Sequence, residues 1–189
     1  MDHTIPVISM HSSDCAAAFT DSLRHFGFAA LSDHPLDMSR VNSIYEQWLA
    51  FFQTEEKFAY PFDEAEQDGY FGLRDAESAK GFIEQDFKEY FHYYPWGRCP
   101  AHLVDDVQSY YEESQAFAVQ LLAWVEQHSP AEVQARYSQP LSTMIDGSVA
   151  SLLRILHYPP QQGESKAPRA NAHEDINVLT ILPAANGPG

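Results

Sequence analysis

The sequence predicts an α+β protein in which helices come first along the chain and strands come last. Amphipathic helical patterns dominate residues 1–140, whereas β-rich segments bounded by Pro and Gly occupy residues 141–189. Runs of helices followed by runs of strands are typical of folds whose helices pack against one sheet or barrel. We therefore expect a helical N-terminal region over residues 1–140 and the first strands of the core over residues 141–189.

Two elements open the chain. The segment TIPVISM, residues 4–10, has apolar residues on both of its alternating faces, which predicts a short strand buried on both sides. Pro6 places this strand at the edge of a sheet, because proline donates no backbone hydrogen bond. An amphipathic helix is expected next, with Asp14 or a preceding serine as its N-cap and Gly27 just past its C-terminal end.

Two further helices are predicted by apolar residues at helical spacing. The stripe of the second helix consists of Val41, Ile44, Tyr45, Trp48, Leu49 and Phe52. Trp48 and the Phe51–Phe52 pair are expected in the core rather than against a ligand. A longer helix is expected from about Leu103 to Gln127. Residues 59–97, between these helices, have many turn residues and enough alternation to predict one or two short strands.

The C-terminal part has a different texture. GSVASLLRILHYPP, residues 147–160, and NVLTILPA, residues 177–184, are rich in β-forming residues and predict strands. The polar segment QQGESKAPRAN, residues 161–171, predicts a loop between them. The second of these strands begins just after the motif discussed below.

The charge of the chain excludes some partners. Its 189 residues include 27 acidic and 11 basic side chains, which gives a formal net charge of −16. Such a field repels phosphate backbones and anionic membranes, so neither nucleic acid nor a membrane is expected as a partner. The acidic residues are spread along the chain, as on a solvated surface, and do not identify a substrate.

Cysteine usage and hydropathy indicate an intracellular protein. Cys15 and Cys99 are the only cysteines and form no CxxC pair, so a disulfide framework or a thiolate zinc site is not expected. The N-terminus lacks a basic region followed by an apolar stretch, and no apolar run approaches the roughly 20 residues that span a bilayer. We predict a cytoplasmic location.

The segment NAHEDINVLTIL, residues 171–182, places His173 and Asp175 two residues apart at the head of a predicted strand. Residues i and i+2 of a strand share a face, so these side chains can offer a nitrogen and an oxygen to one metal ion. A short motif of this kind also occurs by chance. A strand-end His and Asp that pair with each other or with water remain the alternative.

Several segments in order resemble one enzyme family. These are IPVISM, FGFAALSDHPLDMSRVNSIYEQWLAFFQTEEKFAY, GYFG, DFKEYFHYYP, LLRILHYPP and HEDINVLTIL. They closely resemble the Fe(II)- and 2-oxoglutarate-dependent oxygenases of the isopenicillin N synthase-like family, over nearly the whole chain. The resemblance implies a double-stranded β-helix (jelly roll) that is buttressed by the N-terminal helices.

The resemblance also implies a site and a reaction. His173 and Asp175 match the first histidine and the carboxylate of the family's iron site, and Tyr158 matches a tyrosine near the cosubstrate or substrate carboxylate. A Tyr158 hydroxyl bonded to a backbone group is the alternative. The implied cofactors are Fe(II) and 2-oxoglutarate, with ascorbate as a reductant, and the implied partner is a small-molecule substrate oxidised with O₂. His92 and Arg154 are expected to support structure, and His157 should face away from Tyr158.

The sequence departs from the family pattern in two places. Leu156 stands where users of 2-oxoglutarate often have Asn, which leaves the use of this cosubstrate open. The family's distal histidine and Arg-x-Ser are expected roughly fifty residues beyond Asp175, whereas the sequence ends at Gly189. We therefore expect the C-terminal part of the barrel, with the third metal ligand, to be missing from this chain.

Three hypotheses follow. The first is a non-haem Fe(II) oxygenase that oxidises a small molecule, with 2-oxoglutarate as its expected cosubstrate. The second is a truncated or non-catalytic binding protein on the same fold, since two protein ligands hold iron weakly. The third is a zinc hydrolase that uses His173 and Asp175, although no HExxH-type motif supports it.

Overall fold

The computed structural model describes residues 4–73, 86–161, 169–171, 175 and 177–185. Its strands are β1 (Val7–Ser9), β2 (Ala30–Ser32), β3 (Gly69–Phe71), β4 (Glu89–Tyr93) and β5 (Leu153–His157), and its α-helices are α1 (Cys15–Phe26), α2 (Met38–Phe52), α3 (Val104–His128) and α4 (Ala131–Gln134). Short 3₁₀ helices span Glu55–Ala59 and Leu141–Thr143. This content confirms the α+β class and the three predicted helices. None of the helices in these ranges has the length and hydropathy to cross a bilayer.

The chain divides into two compact units. The first contains residues 1–37 and 112–148, and the second contains residues 38–111 and 149–189. The long helix α3 contributes its first two turns to the second unit and the remainder to the first. The boundary at residue 140, which the change from helical to β-rich sequence patterns predicts, stays a prediction.

The first unit contains a parallel pair of strands. β1 and β2 align with Ile8 opposite Leu31, and α1 packs beside β1. Gly27 ends α1 in a left-handed conformation with φ 73°, as the sequence predicts. The prediction that β1 is buried on both sides is wrong, because Ile8 is buried whereas the side chain of Val7 is 72% exposed. A strand needs a layer on each side to be buried twice, and α1 supplies one layer.

The second unit is built on an antiparallel sheet in the order β3-β4-β5. Opposite pairs include Tyr70 with Phe91 and Phe91 with Ile155. These strands confirm the predictions of short strands within residues 59–97 and 147–160. β4 has a neighbour on each side, and all five of its residues are buried.

Aromatic side chains join α2 to this sheet. The Trp48 ring lies 4.8 Å from that of Phe91, and the Phe51 ring lies 5.8 Å from Phe91 at 84°. Val41, Ile44, Trp48, Phe51 and Phe52 are all buried. The prediction that Trp48 and the Phe51–Phe52 pair belong to the core is confirmed. Buried aromatic rings of this size dominate the hydrophobic stabilisation of a small core.

The strand expected over residues 177–184 is absent from the described structure. Residues 177–185 form no strand, and the side chains of Val178 and Leu182 are largely exposed. One anchor of this segment is a hydrogen bond from the Tyr45 hydroxyl to the carbonyl oxygen of Ala184, at 3.0 Å. A β-forming segment becomes a strand only where a neighbour pairs with its backbone, and no described strand lies beside this one.

Candidate functional site

The sheet of the second unit has two chemically different sides. The side that faces α2 carries Tyr70, Glu89, Phe91, Ile155 and His157. The opposite side, termed the Tyr158 face after the residue that directly follows β5, carries Phe71, Tyr90, His92, Arg154 and Leu156. Alternation along each strand separates the two sets.

Arg154 and His92 form the centre of the Tyr158 face. Arg154 Nε donates a hydrogen bond to His92 Nε2 at 2.9 Å, and His92 Nδ1 contacts the carbonyl oxygen of Gln67 at 3.0 Å. Because an arginine can only donate and a carbonyl can only accept, His92 is neutral and carries its proton on Nδ1. The guanidinium carbon of Arg154 also lies 4.9 Å from the centre of the Tyr90 ring. The predicted supporting role of His92 agrees with these contacts, whereas that of Arg154 stays a prediction, because they do not involve its terminal amino groups.

Tyr158 is half-buried at the end of β5. The guanidinium carbon of Arg169 lies 5.8 Å from the centre of its ring, within range of a cation–π contact. Its hydroxyl forms no hydrogen bond with any residue in the described ranges. The alternative in which a backbone group occupies this hydroxyl is therefore not observed there.

A buried carboxylate holds the chain two residues before His173. Asp86 Oδ1 accepts hydrogen bonds from the backbone nitrogen of Asn171 at 2.9 Å and from its side-chain nitrogen at 2.7 Å. Asp86 Oδ2 lies 2.7 Å from Lys88 Nζ. Burial alone would raise the pKa of Asp86, but the bonds from Lys88 and Asn171 hold that pKa below its ordinary value. Asp86 and Asn171 are both buried, so this clasp fixes one end of the motif segment.

The predicted metal ligands are only partly described. His173 lies outside the described residues, and Asp175 is exposed. Within the described ranges, no group of three His, Cys, Asp or Glu side chains is arranged to hold a metal. An exposed carboxylate with a histidine two residues away is a donor set that suits Fe(II), so the residue types fit the ion that the family binds. Their geometry stays a prediction.

On the side that faces α2, the Glu89 carboxylate is bonded to three side chains. Its carboxylate lies 3.0 Å from Lys57 Nζ and 2.7 Å from His157 Nδ1, and it accepts a hydrogen bond from the Tyr70 hydroxyl. Burial alone would raise the pKa of Glu89, and the bonds from Tyr70, His157 and Lys57 lower it below its ordinary value. The Phe52 ring stacks on His157 at 5.4 Å.

The Glu89 cluster includes His157, whose orientation the sequence predicts, and Glu89, which the sequence does not single out. His157 lies on the side of β5 that faces α2, and its predicted orientation away from Tyr158 stays a prediction, because Tyr158 follows the end of the strand. The Glu89 cluster itself is not predicted by the sequence, although a charged residue inside the apolar strand EYFHY signals a buried partner. Lys57, His157 and Tyr70 are each bonded to the Glu89 carboxylate, so the cluster ties the residues that follow α2 to the sheet.

The sequence also did not predict the ion pair between Arg98 and Asp68. Arg98 binds Asp68 with Nη2–Oδ1 at 2.6 Å and Nε–Oδ2 at 3.1 Å, and its backbone nitrogen donates to Oδ2 at 2.7 Å. Asp68 is 2% exposed, and these bonds from Arg98 outweigh burial and lower the pKa of its carboxyl. Arg98 Nη2 also reaches the carbonyl oxygen of Pro61 at 2.8 Å. The pair pins the turn before β3 and has a structural role.

Two other features do not belong to the site. A groove of about 870 Å³ in the first unit runs between α1, the end of α3 and α4, and contains none of the predicted site residues. Burial raises the pKa of the Cys99 thiol to about 12, so this thiol stays protonated at neutral pH. A protonated thiol is a poor metal ligand and a poor nucleophile.

Comparison with known proteins places this fold in a family. Residues 5–116 match the family profile described as non-haem dioxygenase in morphine synthesis, N-terminal. That match covers more than half of the chain. No curated protein sequence matches the chain significantly.

Solved structures give a consistent picture. A candidate oxygenase from Shewanella oneidensis is 45% identical with a TM-score of 0.85, over 97% of this chain and 66% of that protein. A candidate 2OG-Fe(II) oxygenase family protein from Caulobacter crescentus is 28% identical with a TM-score of 0.68, over 92% of this chain and 62% of that protein. A full-length protein from Neurospora crassa, solved in complex with alpha-KG and thymine, is 16% identical with a TM-score of 0.62, over 82% and 55% of the two chains, and shows similarity of fold alone.

The chain thus spans less than two thirds of the length of each of these proteins. The family profile nevertheless covers most of its helical part, and the Shewanella protein matches it almost from end to end. From these two matches, the chain belongs to the Fe(II)- and 2-oxoglutarate-dependent oxygenases of the isopenicillin N synthase-like family.

Proposed function

We propose that this protein is a non-haem Fe(II) oxygenase that oxidises a small molecule with O₂, uses 2-oxoglutarate as cosubstrate, and does so on a jelly-roll core. Family membership supports the chemistry. The observation that carries the site is the Asp86–Asn171 clasp, because it anchors the segment with the chain's one His-x-Asp motif through a buried carboxylate. Such a buried carboxylate is expensive unless it is bonded, and the bonds from Asn171 and Lys88 provide this compensation.

In this proposal His173 and Asp175 bind Fe(II) through an imidazole nitrogen and a carboxylate oxygen. Residues 176–189 include no His, Cys, Asp or Glu, so the third protein ligand comes from outside that range. When bound, the metal supplies the activation of O₂ that neither protein side chains nor 2-oxoglutarate can provide alone. Because an imidazole must be neutral to bind a metal, the affinity falls as the solution is acidified.

The remaining roles belong to binding and orientation. Tyr158 presents a hydroxyl that lacks a hydrogen-bond partner among the described residues, and we assign it to the cosubstrate or substrate carboxylate. The overall reaction converts 2-oxoglutarate, O₂ and a C–H bond into succinate, CO₂ and a C–OH group. Ascorbate is included in the proposal as the reductant that keeps the iron in the ferrous state.

The test uses the full-length protein as its source encodes it. Anaerobic titration with Mn(II) measures metal affinity, and succinate release is then measured with Fe(II), 2-oxoglutarate, ascorbate and O₂. We expect His173→Ala and Asp175→Ala to lower both by at least about 100-fold, because each removes a direct metal ligand. His102→Ala is the matched control, since His102 lies at the surface near Glu56, at 3.7 Å.

The outcomes separate the two hypotheses. Succinate release that depends on His173 and Asp175 supports the oxygenase. A full-length protein that binds no metal and releases no succinate would instead be a binding protein on this fold, and the oxygenase proposal would be withdrawn.

A further inference from the structure

Two arginines of the second unit, Arg154 and Arg169, form no ion pair with a carboxylate of the residues that the structure describes. Four other cationic side chains have one, in the pairs Arg40–Asp106, Lys57–Glu89, Lys88–Asp86 and Arg98–Asp68. No carboxylate of the described residues lies within 4.0 Å of the side-chain nitrogens of Arg154 or Arg169. The chain as a whole carries 27 acidic and 11 basic side chains, so an uncompensated arginine is not explained by a shortage of acid.

The contacts that orient the Arg154 side chain involve its Nε atom and the plane of its guanidinium, not its terminal amino groups. Its Nε bond to His92 and its position 4.9 Å above the Tyr90 ring fix the plane of the guanidinium. His92 is in turn held by the carbonyl oxygen of Gln67. The terminal Nη1 and Nη2 groups form no hydrogen bond with any residue of the described ranges. Two parallel N–H donors in a fixed plane match the two oxygens of a carboxylate.

The surroundings of Arg154 suit an acid with an apolar body. Arg154 and Leu156 share the Tyr158 face of β5, and Tyr158 follows the strand four positions after Arg154, about 13 Å away between Cα atoms in extended chain. Leu156 lies between them and is 39% exposed. A cation, an apolar side chain and a phenol therefore follow one another along this stretch of chain, and Arg169 lies beside the phenol.

We propose that the terminal amino groups of Arg154 bind the carboxylate of a small organic acid on the Tyr158 face, with the apolar part of the acid over Leu156. The carboxylate belongs either to the molecule that is oxidised or to 2-oxoglutarate, since both present the same group to the guanidinium. The identity of the acid rests on the proposed oxygenase function. The binding of a carboxylate by Arg154 does not, because it requires no metal.

The experiment is a set of calorimetric titrations on the full-length protein, both metal-free and loaded with Mn(II) under argon. The probes are 2-oxoglutarate and, in its presence, 3-phenylpropanoate and its neutral amide. The variants are Arg154→Gln, which removes the charge, and Arg154→Lys, which keeps the charge and loses the paired donors. Arg136→Gln removes one positive charge from an exposed position of the first unit and serves as the control. Thermal unfolding of each variant verifies that it is folded.

We expect Arg154→Gln to weaken the binding of one of the two acids by about tenfold or more, as the loss of hydrogen bonds to a charged group does. Arg154→Lys should fall between this variant and the original protein, and Arg136→Gln should change neither affinity. Weakened 2-oxoglutarate binding assigns Arg154 to the cosubstrate. Weakened 3-phenylpropanoate binding, with the amide already weak in the original protein, assigns Arg154 to the oxidised substrate.

Three results would overturn the inference. They are equal affinities of the original protein and Arg154→Gln for both acids, failure of the original protein to bind either acid, and an amide that binds as tightly as the acid. Failure to bind Mn(II) is a separate result, which contradicts the proposed function, and the metal-free titrations still decide the role of Arg154.

Discussion

At the scale of single residues, the second unit neutralises its buried carboxylates one by one. Glu89, Asp86 and Asp68 are each at most 4% exposed, and each is bonded to a lysine or an arginine. A buried charge without such a partner would be strongly unfavourable. The sequence already signals this requirement, because each acidic residue stands within or beside an aromatic strand.

Glu89→Gln should lower the free energy of unfolding by about 3 kcal/mol, because the substitution leaves the largely covered Lys57, whose side chain is 16% exposed, without a counter-charge. Urea denaturation at pH 7 measures the change. The double variant Lys57→Met, Glu89→Gln should recover part of the loss, since it removes the uncompensated charge as well. A Glu89→Gln protein as stable as the original would contradict the assigned role of this ion pair.

At the scale of elements, β4 organises the second unit. Its side chains face α2 on one side and form the Tyr158 face on the other, and its two neighbours come from distant parts of the chain. β3 begins at Gly69, whose φ is 94°. A Cβ at this position would lie 2.7 Å from the carbonyl oxygen of Tyr60 and 2.9 Å from that of Pro61. Only glycine fits there without displacing the backbone.

Gly69→Ala should therefore destabilise the protein by at least about 3 kcal/mol, through both the backbone conformation and the steric overlap. Gly147→Ala is the matched control. Gly147 also has a positive φ, 68°, but a Cβ there would meet nothing within 4 Å, so only the conformational cost of about 1 kcal/mol remains. Equal losses in urea denaturation would show that the close approach at Gly69 has no energetic effect.

The clasp between Asp86 and Asn171 belongs to the same scale, because it ties the entry of β4 to the segment that leads to His173. Asp86→Ala should accelerate hydrogen exchange at the Asn171 amide by about tenfold or more, relative to the change in global stability, because that amide loses its acceptor. Mass-spectrometric exchange of the peptide that contains Asn171 measures the effect. Asp68→Ala removes an equally buried aspartate and should leave this peptide protected. Similar exchange in both variants would argue against a local anchor.

At the scale of the whole molecule, the net charge of −16 acts together with the buried carboxylates. Repulsion between surface charges destabilises the compact state at neutral pH and is relieved as acid is added. The three buried carboxylates act in the opposite direction, because protonation breaks their bonds. The free energy of unfolding at a given pH therefore depends on the balance between the surface repulsion and the bonds of the buried carboxylates.

The direction of the acid effect follows from the pKa values. The pKa values of Asp68 and Asp86 lie below their ordinary value of 3.8, and that of Glu89 lies below 4.5. On acidification the unfolded chain takes up these protons first, so the free energy of unfolding should fall from about pH 4.5 downward, through the lowered values of the folded state. Urea denaturation between pH 7 and pH 3 measures this, and Asp68→Asn should flatten the acid limb. A stability that rises steadily down to pH 3 would mean that surface repulsion dominates.

Much of the fold follows from local patterns. Helical spacing of apolar residues predicts α1, α2 and α3, Gly27 marks the end of α1, and alternation predicts the short strands of the second unit. For the site, the structure places His157 on the side of β5 that faces α2, and its predicted orientation away from Tyr158 stays a prediction. The pairing of Arg154 with His92 could not be predicted, because it depends on the register between two strands whose paired residues are 62 positions apart in the chain.

The sequence by itself determined the α+β class, the helices and the family, because burial periodicity and motif order are properties of consecutive residues. Only the tertiary structure decided that Val7 is exposed, that residues 177–185 form no strand, and that Arg154 has no carboxylate beside it among the described residues. Each of these features depends on what lies next to a residue in space. A strand without a neighbour does not pair, and a charge is compensated only where the fold brings an opposite charge within reach.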